Sequence, residues 1–387
     1  MLEYKGKYNT AYVMIDEIED ELVQKIYKIL NHPAFAKSYI VIMPDCHDGA
    51  GACIGFTMKM NDYIIPNVVG VDIGCGIAAY KLGEISPDLK KLDSFIHKTI
   101  PSGFAHRDKI VYHDIDKWKQ ATRWISEFEN STYETCNNIA EDQQKVLHQL
   151  ASLGGGNHFI EVDLNKDTGE YWLVVHTGSR NFGLRVANFY QKKAKELMKT
   201  MFVGAGEYAG LEYLPWEHGG NSYWKDMQVA QLFAEKNRCF IALQILRFLG
   251  LDYDVLEKIE SVHNYISEKD LIIRKGAISA YGNERILIPF NMRDGIAIGT
   301  GRSNKRWNFS APHGAGRIMS RGKAKKELKM EDFIASMEGI FSSTIQEDTL
   351  DEAPMVYKDM NLILEAIKPT VDIEFLMRPV YNFKAAE

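Results

Sequence analysis

Five short glycine-containing segments that also carry histidine, aspartate, cysteine or asparagine constrain the fold of this chain most. They are residues 43–51 (MPDCHDGAG), 69–76 (VGVDIGCG), 153–161 (LGGGNHFIE), 176–180 (HTGSR) and 310–321 (SAPHGAGRIMSR). The first two lie in residues 40–80, where short apolar runs of β character alternate with glycine and aspartate. This pattern predicts strands whose connecting loops carry the unusual residues. We therefore expect a strand-based scaffold with its chemistry in the loops.

Helical periodicity appears between these segments. Apolar residues recur at three- and four-residue steps over 15–29, which predicts an amphipathic helix ending near His32 and Pro33. We also expect helices over 114–152, about 184–202, 227–249 and 321–340, and a loop over 203–224. Residues 172–175 and 271–301 are predicted strands. Because no linker or internal repeat separates these elements, the sequence predicts one integrated α+β domain over residues 1–387.

Bulk composition restricts the class of protein only broadly. The chain has no apolar run of about 18 residues, the length that a membrane helix needs. Its opening MLEYKGKYNT lacks an apolar signal core, so we expect a cytoplasmic protein without a membrane anchor. The net charge of −6 argues against nonspecific coating of nucleic acid but permits a local basic channel. Its five cysteines are an odd number, and one of them is a candidate metal ligand or nucleophile.

Two of the segments are candidate metal or phosphate sites. Asp72 and Cys75 stand three residues apart on a glycine-flanked turn, where small neighbours let the backbone approach an ion. A capped turn beside a buried thiol explains this pair equally well. Three glycines before Asn157 and His158 can form a concavity for a phosphate or a metal. The alternative there is a flexible hairpin loop.

Three further histidines complete the inventory. His176 ends a hydrophobic strand, close to Arg180, whereas His263 alone is typical of a cap or a core histidine. His313 stands on a small-residue loop before a basic helix, which suits a nucleophile or a phosphate contact as well as a simple helix start. Together, one carboxylate, one thiolate and three imidazoles are enough to hold two metals that share a sulfur. These ligands are Asp72, Cys75, His158, His176 and His263. Such ligation suits Mn²⁺, Zn²⁺ or Fe²⁺.

As a set, these motifs resemble the RtcB RNA ligase family. The ordered matches are PDCHDGAG, VGVDIGCG, LGGGNHFIEV, HTGSRNFG, RKGAISA, PHGAGRIMSR, DEAPMVYKD and RPVYNFKA. The resemblance implies the family's single-domain α+β fold, with mixed β-sheets around a central cleft for two metals and a nucleotide. It also implies that the cofactors are GTP and two Mn²⁺ ions.

The resemblance assigns roles by position. Asp72, Cys75 and His158 would hold one Mn²⁺, and Cys75, His176 and His263 the second. His313 would be the guanylylated histidine, oriented by Asp45. The implied guanylate site consists of Asn157, His158, Phe159, Ile160, Glu161, Asn291, His313, Gly314, Ala315, Gly316 and Lys384, with Glu161 on the guanine. The candidates for contacts to RNA phosphates are Arg180, Arg317 and Arg321.

The implied activity joins an RNA 3′-phosphate or 2′,3′-cyclic phosphate end to a 5′-hydroxyl end. The reaction would pass through guanylyl-histidine and RNA-3′-pp-5′-G, in RNA repair or tRNA splicing. An archease-type activator or a release-factor-like protein is a candidate partner. Three departures indicate a divergent bacterial-type paralogue. Ala50 stands where well-known members have a basic residue, and residues 290–294 (FNMRD) replace a small-residue loop. The chain is also shorter than typical members, and its loop at 203–224 differs from theirs.

Two other functions compete with this interpretation. A dinuclear-metal phosphohydrolase acting on nucleotides or RNA ends would use the same five ligands. It does not explain a histidine within a Gly-Ala-Gly loop or the motif around Lys384. A non-catalytic RNA-binding homologue is the second alternative, and the intact ligand set argues against it.

Overall fold

Helices and strands are interleaved along the chain in an α+β arrangement. The computed structural model describes residues 1–111, 122–201 and 205–385. The helices are α1 Asp20–Leu30, α2 Pro66–Val69, α3 Leu89–Thr99, α4 Thr122–Ile139, α5 Gln143–Leu147, α6 Arg180–Met201, α7 Gly220–Phe248, α8 Arg321–Glu327, α9 Met330–Ser336 and α10 Met360–Ile367. Among the described helices, none combines the length and apolar character required to cross a membrane.

The strands pair into two large sheets and two small ones. They are β1 Leu2–Lys5, β2 Thr10–Val13, β3 Ile40–His47, β4 Ile54–Lys59, β5 Tyr63–Ile64, β6 Gly76–Gly83, β7 Phe159–Asn165, β8 Glu170–Thr177, β9 Leu214–Pro215, β10 Lys258–Val262, β11 Asn264–Ile266, β12 Ile272–Lys275, β13 Ala277–Ser279, β14 Arg285–Asn291, β15 Gly295–Gly301, β16 Ser310–Pro312 and β17 Val371–Lys384. The small sheets are β13–β16 and β5–β9.

The larger sheet has seven strands in the order β10-β6-β8-β7-β17-β15-β14, and each neighbouring pair is antiparallel. One face carries an apolar cluster that includes Trp172, Leu287 and Met377. Helix α7 packs against β6 and β8, and its buried residues join the main core. This packing holds the middle strands rigidly, and the residues at their ends therefore have fixed positions.

The second sheet has six strands in the order β1-β2-β3-β4-β12-β11. It is mixed, because β2 and β3 run parallel while its other pairs are antiparallel. Strand β3 is buried from Ile40 to Cys46 and ends at His47, which delivers the first glycine-rich segment to the interior. The predicted α+β class with several sheets is therefore confirmed.

The helix predictions were right in kind and inexact at their ends. Helix α1 begins at Asp20 rather than 15 and ends before His32, whose ring accepts a hydrogen bond from Ala34 N. Helices α6 and α7 begin earlier than expected, and the expected helix over 321–340 is divided into α8 and α9. The parts of the predicted helices and loop that fall on 114–121 and 202–204 lie outside the described residues.

Candidate active site

Five strands of the seven-stranded sheet begin or end along one edge of the sheet, the edge that is formed by strand termini. Strands β6 and β7 begin at this edge, whereas β8, β10 and β17 end there, because neighbouring strands are antiparallel. The register pairs Phe159 with both His176 and Lys384, and Gly76 with both Thr177 and Val262. Segments that are distant in sequence therefore deliver Cys75, His158, His176, His263 and Lys384 to adjacent positions.

The five predicted metal ligands lie together at this edge. Cys75 Sγ is 3.4 Å from His158 Nε2 and 3.3 Å from His176 Nε2. The ligand atoms of these three buried residues lie within 4.8 Å of one another. His263 donates its backbone N–H to the Cys75 carbonyl over 2.9 Å, and its ring centroid is 5.3 Å from that of His176. The structure thus brings together residues that lie up to 191 positions apart (72 to 263).

The protonation state of His158 provides a test of whether a metal fits here. The Leu153 carbonyl accepts a 2.9 Å hydrogen bond from His158 Nδ1, so that nitrogen carries the proton. In the neutral ring, Nε2 then turns a bare lone pair toward Asp72 Oδ2 at 3.0 Å. Two such lone pairs repel unless a cation, either a proton or a metal, lies between them. The donor set therefore fits a metal ion.

Electrostatics around the cluster agree with this fit. Burial lowers the pKa of His176 and of His263 well below the usual histidine value, so both rings are neutral, as metal ligation requires. Burial also raises the pKa of the Cys75 thiol well above its usual value, with Asp72 adding to the effect. A bound cation would reverse that shift, because metal binding favours the thiolate. Gly178 is required here, since a Cβ atom would lie 2.1 Å from Asp72 Oδ1.

His313 is held by Asp45, as the resemblance implied. Fully buried Asp45 accepts two hydrogen bonds through Oδ2, from His313 Nδ1 at 2.7 Å and from His313 N at 3.2 Å. Since Nδ1 is the donor, Nε2 of the neutral ring keeps its lone pair. The His313 ring centroid is 4.8 Å from that of His263, next to the metal-ligand cluster. Gly316 lies so close to Asp45 that a Cβ atom would be 2.0 Å from its carbonyl oxygen.

A cavity of about 830 Å³, which we call the first cavity, opens beside His313. Most of the predicted guanylate residues line it: Asn157, Phe159, Glu161, Asn291, His313, Gly314, Ala315, Gly316 and Lys384. Two residues of the predicted set do not: the ring of His158 faces Asp72 and Cys75, and the side chain of Ile160 packs in the main core. The predicted nucleotide residues are thus gathered around one space of suitable size for a nucleotide.

Glu161 and Lys384 are two buried residues of the cavity lining. The Asn382 amide donates to Glu161 Oε1 over 2.5 Å, and Lys384 Nζ donates to the Asn157 carbonyl over 3.2 Å. Burial raises the pKa of Glu161 to about 7. Glu161 and Lys384 therefore place two buried ionisable groups in the cavity lining, next to Phe159.

Residues 290–294 form a turn that is closed on itself. Asn291 Oδ1 accepts the backbone N–H groups of Arg293 (3.0 Å) and Asp294 (2.9 Å), and its amide donates to Asp294 Oδ2 over 2.7 Å. Phe290 is buried in an apolar cluster. Asn291 lines the first cavity, but its side chain is already used in stabilising the turn.

The three arginines have different environments. Arg180 lies outside the first cavity, where Nη2 donates to the Gly103 carbonyl (2.8 Å) and Nε to Ser152 Oγ (3.1 Å). Arg317 lines the cavity with its guanidinium donating to Glu352 and to two backbone carbonyls. Arg321, with 37% of its side chain exposed, pairs with Asp351 and Glu352 at the cavity wall. Of the three arginines, only Arg317 and Arg321 therefore line the first cavity.

Sequence reasoning assigned no role to Glu352, which organises this wall. It is almost fully buried, and its carboxylate contacts Lys384 Nζ at 3.0 Å, Arg321 Nη1 at 3.1 Å and Arg317 Nη1 at 3.2 Å. Tyr357 donates its hydroxyl to the same group over 2.5 Å. These cations lower the pKa of Glu352 although burial opposes the shift. The motif DEAPMVYKD was visible in the sequence, but it could not reveal three distant cationic partners.

Replacing Glu352 with glutamine is expected to destabilise the fold. Three cations would lose their shared counter-charge inside the protein, and breaking a buried ion pair typically costs about 3–5 kcal/mol. Urea unfolding at neutral pH measures this free energy, with exposed Glu347→Gln in the same segment as control. Because the Glu352 pKa is lowered on folding, the difference should shrink as pH falls through the carboxyl range. Equal stability of the two variants would contradict the proposed central role of Glu352.

Comparisons with known proteins agree with the motif resemblance. Residues 25–385 match the family model described as tRNA-splicing ligase RtcB. RNA-splicing ligase RtcB1 of Escherichia coli ATCC 25922 and RNA-splicing ligase RtcB of E. coli K12 are each 30% identical over 404 aligned positions, covering 95% of both chains. The tRNA-splicing ligase RtcB of Aeropyrum pernix is 28% identical, over 85% of this chain and 84% of its own.

Proposed function

This chain belongs to the RtcB family, and from that premise we propose that it is an RNA ligase working through guanylyl-His313. It would join RNA ends that carry a 3′-phosphate or 2′,3′-cyclic phosphate to 5′-hydroxyl ends, with GTP and two Mn²⁺ ions, in RNA repair or tRNA splicing. Residues 1–387 would act as one catalytic domain. The names of the relatives, which are RNA-splicing and tRNA-splicing ligases, support RNA as the substrate.

The observation that carries the proposal is the pairing of His313 with Asp45. Because Nδ1 donates to the buried carboxylate, the neutral ring presents Nε2 as a nucleophile in the wall of the first cavity. Attack of Nε2 on the α-phosphate of GTP forms a P–N bond and expels pyrophosphate. Asp45 would stabilise the positive charge that develops on the ring. The guanylyl group would then pass to an RNA 3′-phosphate, and a 5′-hydroxyl would finally displace GMP.

The metal ligands support the same chemistry. Asp72, Cys75 and His158 would hold one Mn²⁺, and Cys75, His176 and His263 the second. When bound, the two ions would neutralise charge on the phosphates during transfer. Arg317 and Arg321 would present positive charge to the phosphates from the cavity wall, whereas Arg180 would act beside Asp72. We assign the guanine to the part of the lining that includes Glu161.

The cellular setting follows from the same proposal. The five cysteines are all buried thiols without a disulfide in the described part of the chain, which fits a reducing compartment such as the cytoplasm. RNA would be the main partner. An archease-type activator and a release-factor-like protein are the accessory partners that we propose to test by adding them to the ligation reaction.

Labelling with GTP tests the proposal. The protein is incubated with Mn²⁺ and either α-³²P-GTP or γ-³²P-GTP, denatured, and digested to locate the label. We expect α-label alone to remain, on the peptide that contains His313, in an acid-labile and base-stable bond. A phosphohydrolase would release both labels without retaining either. A non-catalytic RNA-binding protein would bind RNA and leave GTP intact.

The affinity for GMP is expected to fall as the pH decreases through about 7. Guanine offers N–H donors, which an ionised Glu161 accepts, and burial raises the pKa of this carboxyl to about 7. Below that pKa the affinity should fall by up to about tenfold per pH unit. Calorimetry with GMP and no added metal measures this affinity without interference from a reaction, because GMP cannot react. Glu161→Gln should bind weakly at every pH, and an unchanged affinity of the wild type at acidic pH would exclude this contact.

A further inference from the structure

A second cavity, of about 1000 Å³, adjoins the first. The two share part of their lining: Glu19, His47, Arg317 and Ile318. The remaining wall of the second cavity is largely apolar and includes Met14, Ile15, Ile18, Trp307, Leu362 and Pro369. The reaction proposed above involves two RNA ends, whereas the first cavity is already assigned to the guanylate. The second cavity is therefore a candidate site for one of these ends.

The charged residues that line the second cavity indicate which of the two RNA ends it would accept. Asp16, Glu17, Glu19 and Glu365 line the second cavity. Its Lys358 ammonium already donates to the carbonyls of Pro44 (2.9 Å) and Cys46 (2.8 Å), and Arg306 is exposed. A terminal phosphate would be repelled by these carboxylates, whereas an uncharged 5′-hydroxyl nucleoside would not. Carboxylates also line the first cavity, but its cations Arg321, Lys323 and Lys384, which the second cavity lacks, can neutralise a phosphate. The phosphate end therefore suits the first cavity, while Arg317 lines both.

His47 stands where the two cavities meet. Its Nδ1 lies 2.9 Å from the Asp45 carbonyl oxygen, which can only accept, so Nδ1 carries the proton and Nε2 is free to accept one. Asp45 thus orients two imidazoles, His313 through its carboxylate and His47 through its backbone carbonyl. Burial lowers the pKa of His47 to about 4, with His313 and Lys358 adding to the effect and Asp45 opposing it. His47 is therefore uncharged at neutral pH.

We propose that the 5′-hydroxyl end of the RNA enters the second cavity and that His47 Nε2 accepts its proton in the sealing step. This inference rests on the proposed function. The 5′ oxygen forms a bond to the phosphorus of the RNA 3′-phosphate in RNA-3′-pp-5′-G, and the P–O bond to GMP breaks. GMP leaves with the electron pair, and the hydroxyl proton moves to His47, which later returns it to solvent. His47 thereby acts as the general base of this step.

The sealing step can be measured alone. Synthetic RNA-3′-pp-5′-G and a 5′-hydroxyl RNA are mixed with Mn²⁺ and protein, without GTP, under single-turnover conditions. The test variant is His47→Asn, because the asparagine amide can still donate to the Asp45 carbonyl. A general base contributes about 10²–10⁴-fold, so we expect sealing to slow by at least about 100-fold. Because His47 also lines the first cavity, labelling by α-³²P-GTP is measured on the same variant, and sealing should lose more than labelling does.

A 5′-thiol RNA separates catalysis from structure. A thiol ionises near neutral pH and needs no base, so it should restore sealing by His47→Asn toward the wild-type rate. Ala366→Trp, which fills the second cavity from α10, should raise the KM for the 5′-hydroxyl strand while leaving labelling by GTP unchanged. Equal sealing by His47→Asn and wild type, or no rescue by the thiol, would overturn the inference. Failure of the wild type to seal would instead refute the proposed ligase function.

Discussion

Replacement of His313 by alanine is expected to abolish covalent labelling of the chain by α-³²P-GTP. The variant loses the Nε2 nucleophile of the ring that Asp45 holds through a 2.7 Å hydrogen bond. Overall ligation with GTP should fall to background, because removing a covalent nucleophile eliminates the pathway and not only its rate advantage. Gel autoradiography and sealing of 3′-phosphate RNA measure the two losses.

The same variant should retain the last step of the reaction. Sealing of preformed RNA-3′-pp-5′-G does not require a histidine nucleophile, so His313→Ala should still carry it out. Exposed His218→Ala serves as the matched control and should label normally. Persistent labelling of His313→Ala would place the nucleophile elsewhere, whereas loss of all steps together with loss of stability would indicate a structural role for His313.

Cys75→Ala is expected to remove both metal ions together with every step of the reaction. Its sulfur lies within 3.4 Å of two imidazole nitrogens, at the centre of the ligand set. Changes to groups that merely support metal ligands cost about 10–100-fold in affinity, so deleting a shared ligand should cost more. The metal content is measured after dialysis against Mn²⁺. The activity is measured by labelling with α-³²P-GTP.

Two further variants make this test specific. Cys136→Ala removes a buried thiol of α4 and should keep both ions, while His263→Ala should keep one ion of the two. If Cys75→Ala binds two ions and ligates RNA normally, the two-metal arrangement that shares this sulfur is wrong. If His263→Ala also retains both, His263 is not a ligand.

Sequence patterns located the chemistry because they mark the ends of strands. His176 follows the apolar run 172–175, and the structure places it at the end of β8, one residue before Thr177. The glycines around Asp72 and after His313 likewise mark places where the backbone must turn or approach closely. These local signals predicted which residues belong to the candidate site. They could not predict the distances between residues that are far apart in the sequence.

The remaining features depend on distant partners that no local pattern reveals. Strand β17 was not predicted, since its sequence VDIEFLMRPVYNFK combines charged and apolar residues without alternation. It forms because β7 and β15 both offer it hydrogen bonds. Glu352 is similar: a carboxylate in a short helical turn is normally solvated, and only the approach of Arg317, Arg321 and Lys384 makes its burial favourable.

The position of β17 has a consequence for how the protein is made. Residues 371–384 fill the space between β7 (159–165) and β15 (295–301), so a growing chain on the ribosome keeps two unsatisfied strand edges until these residues emerge. Contacts this remote in sequence form slowly, and exposed edges promote aggregation in the meantime. Because the same strand brings Lys384 to the first cavity, a chain without it would lack both a continuous sheet and part of the lining of that cavity. A chain truncated before residue 371 would therefore expose strand edges that chaperones and proteases recognise.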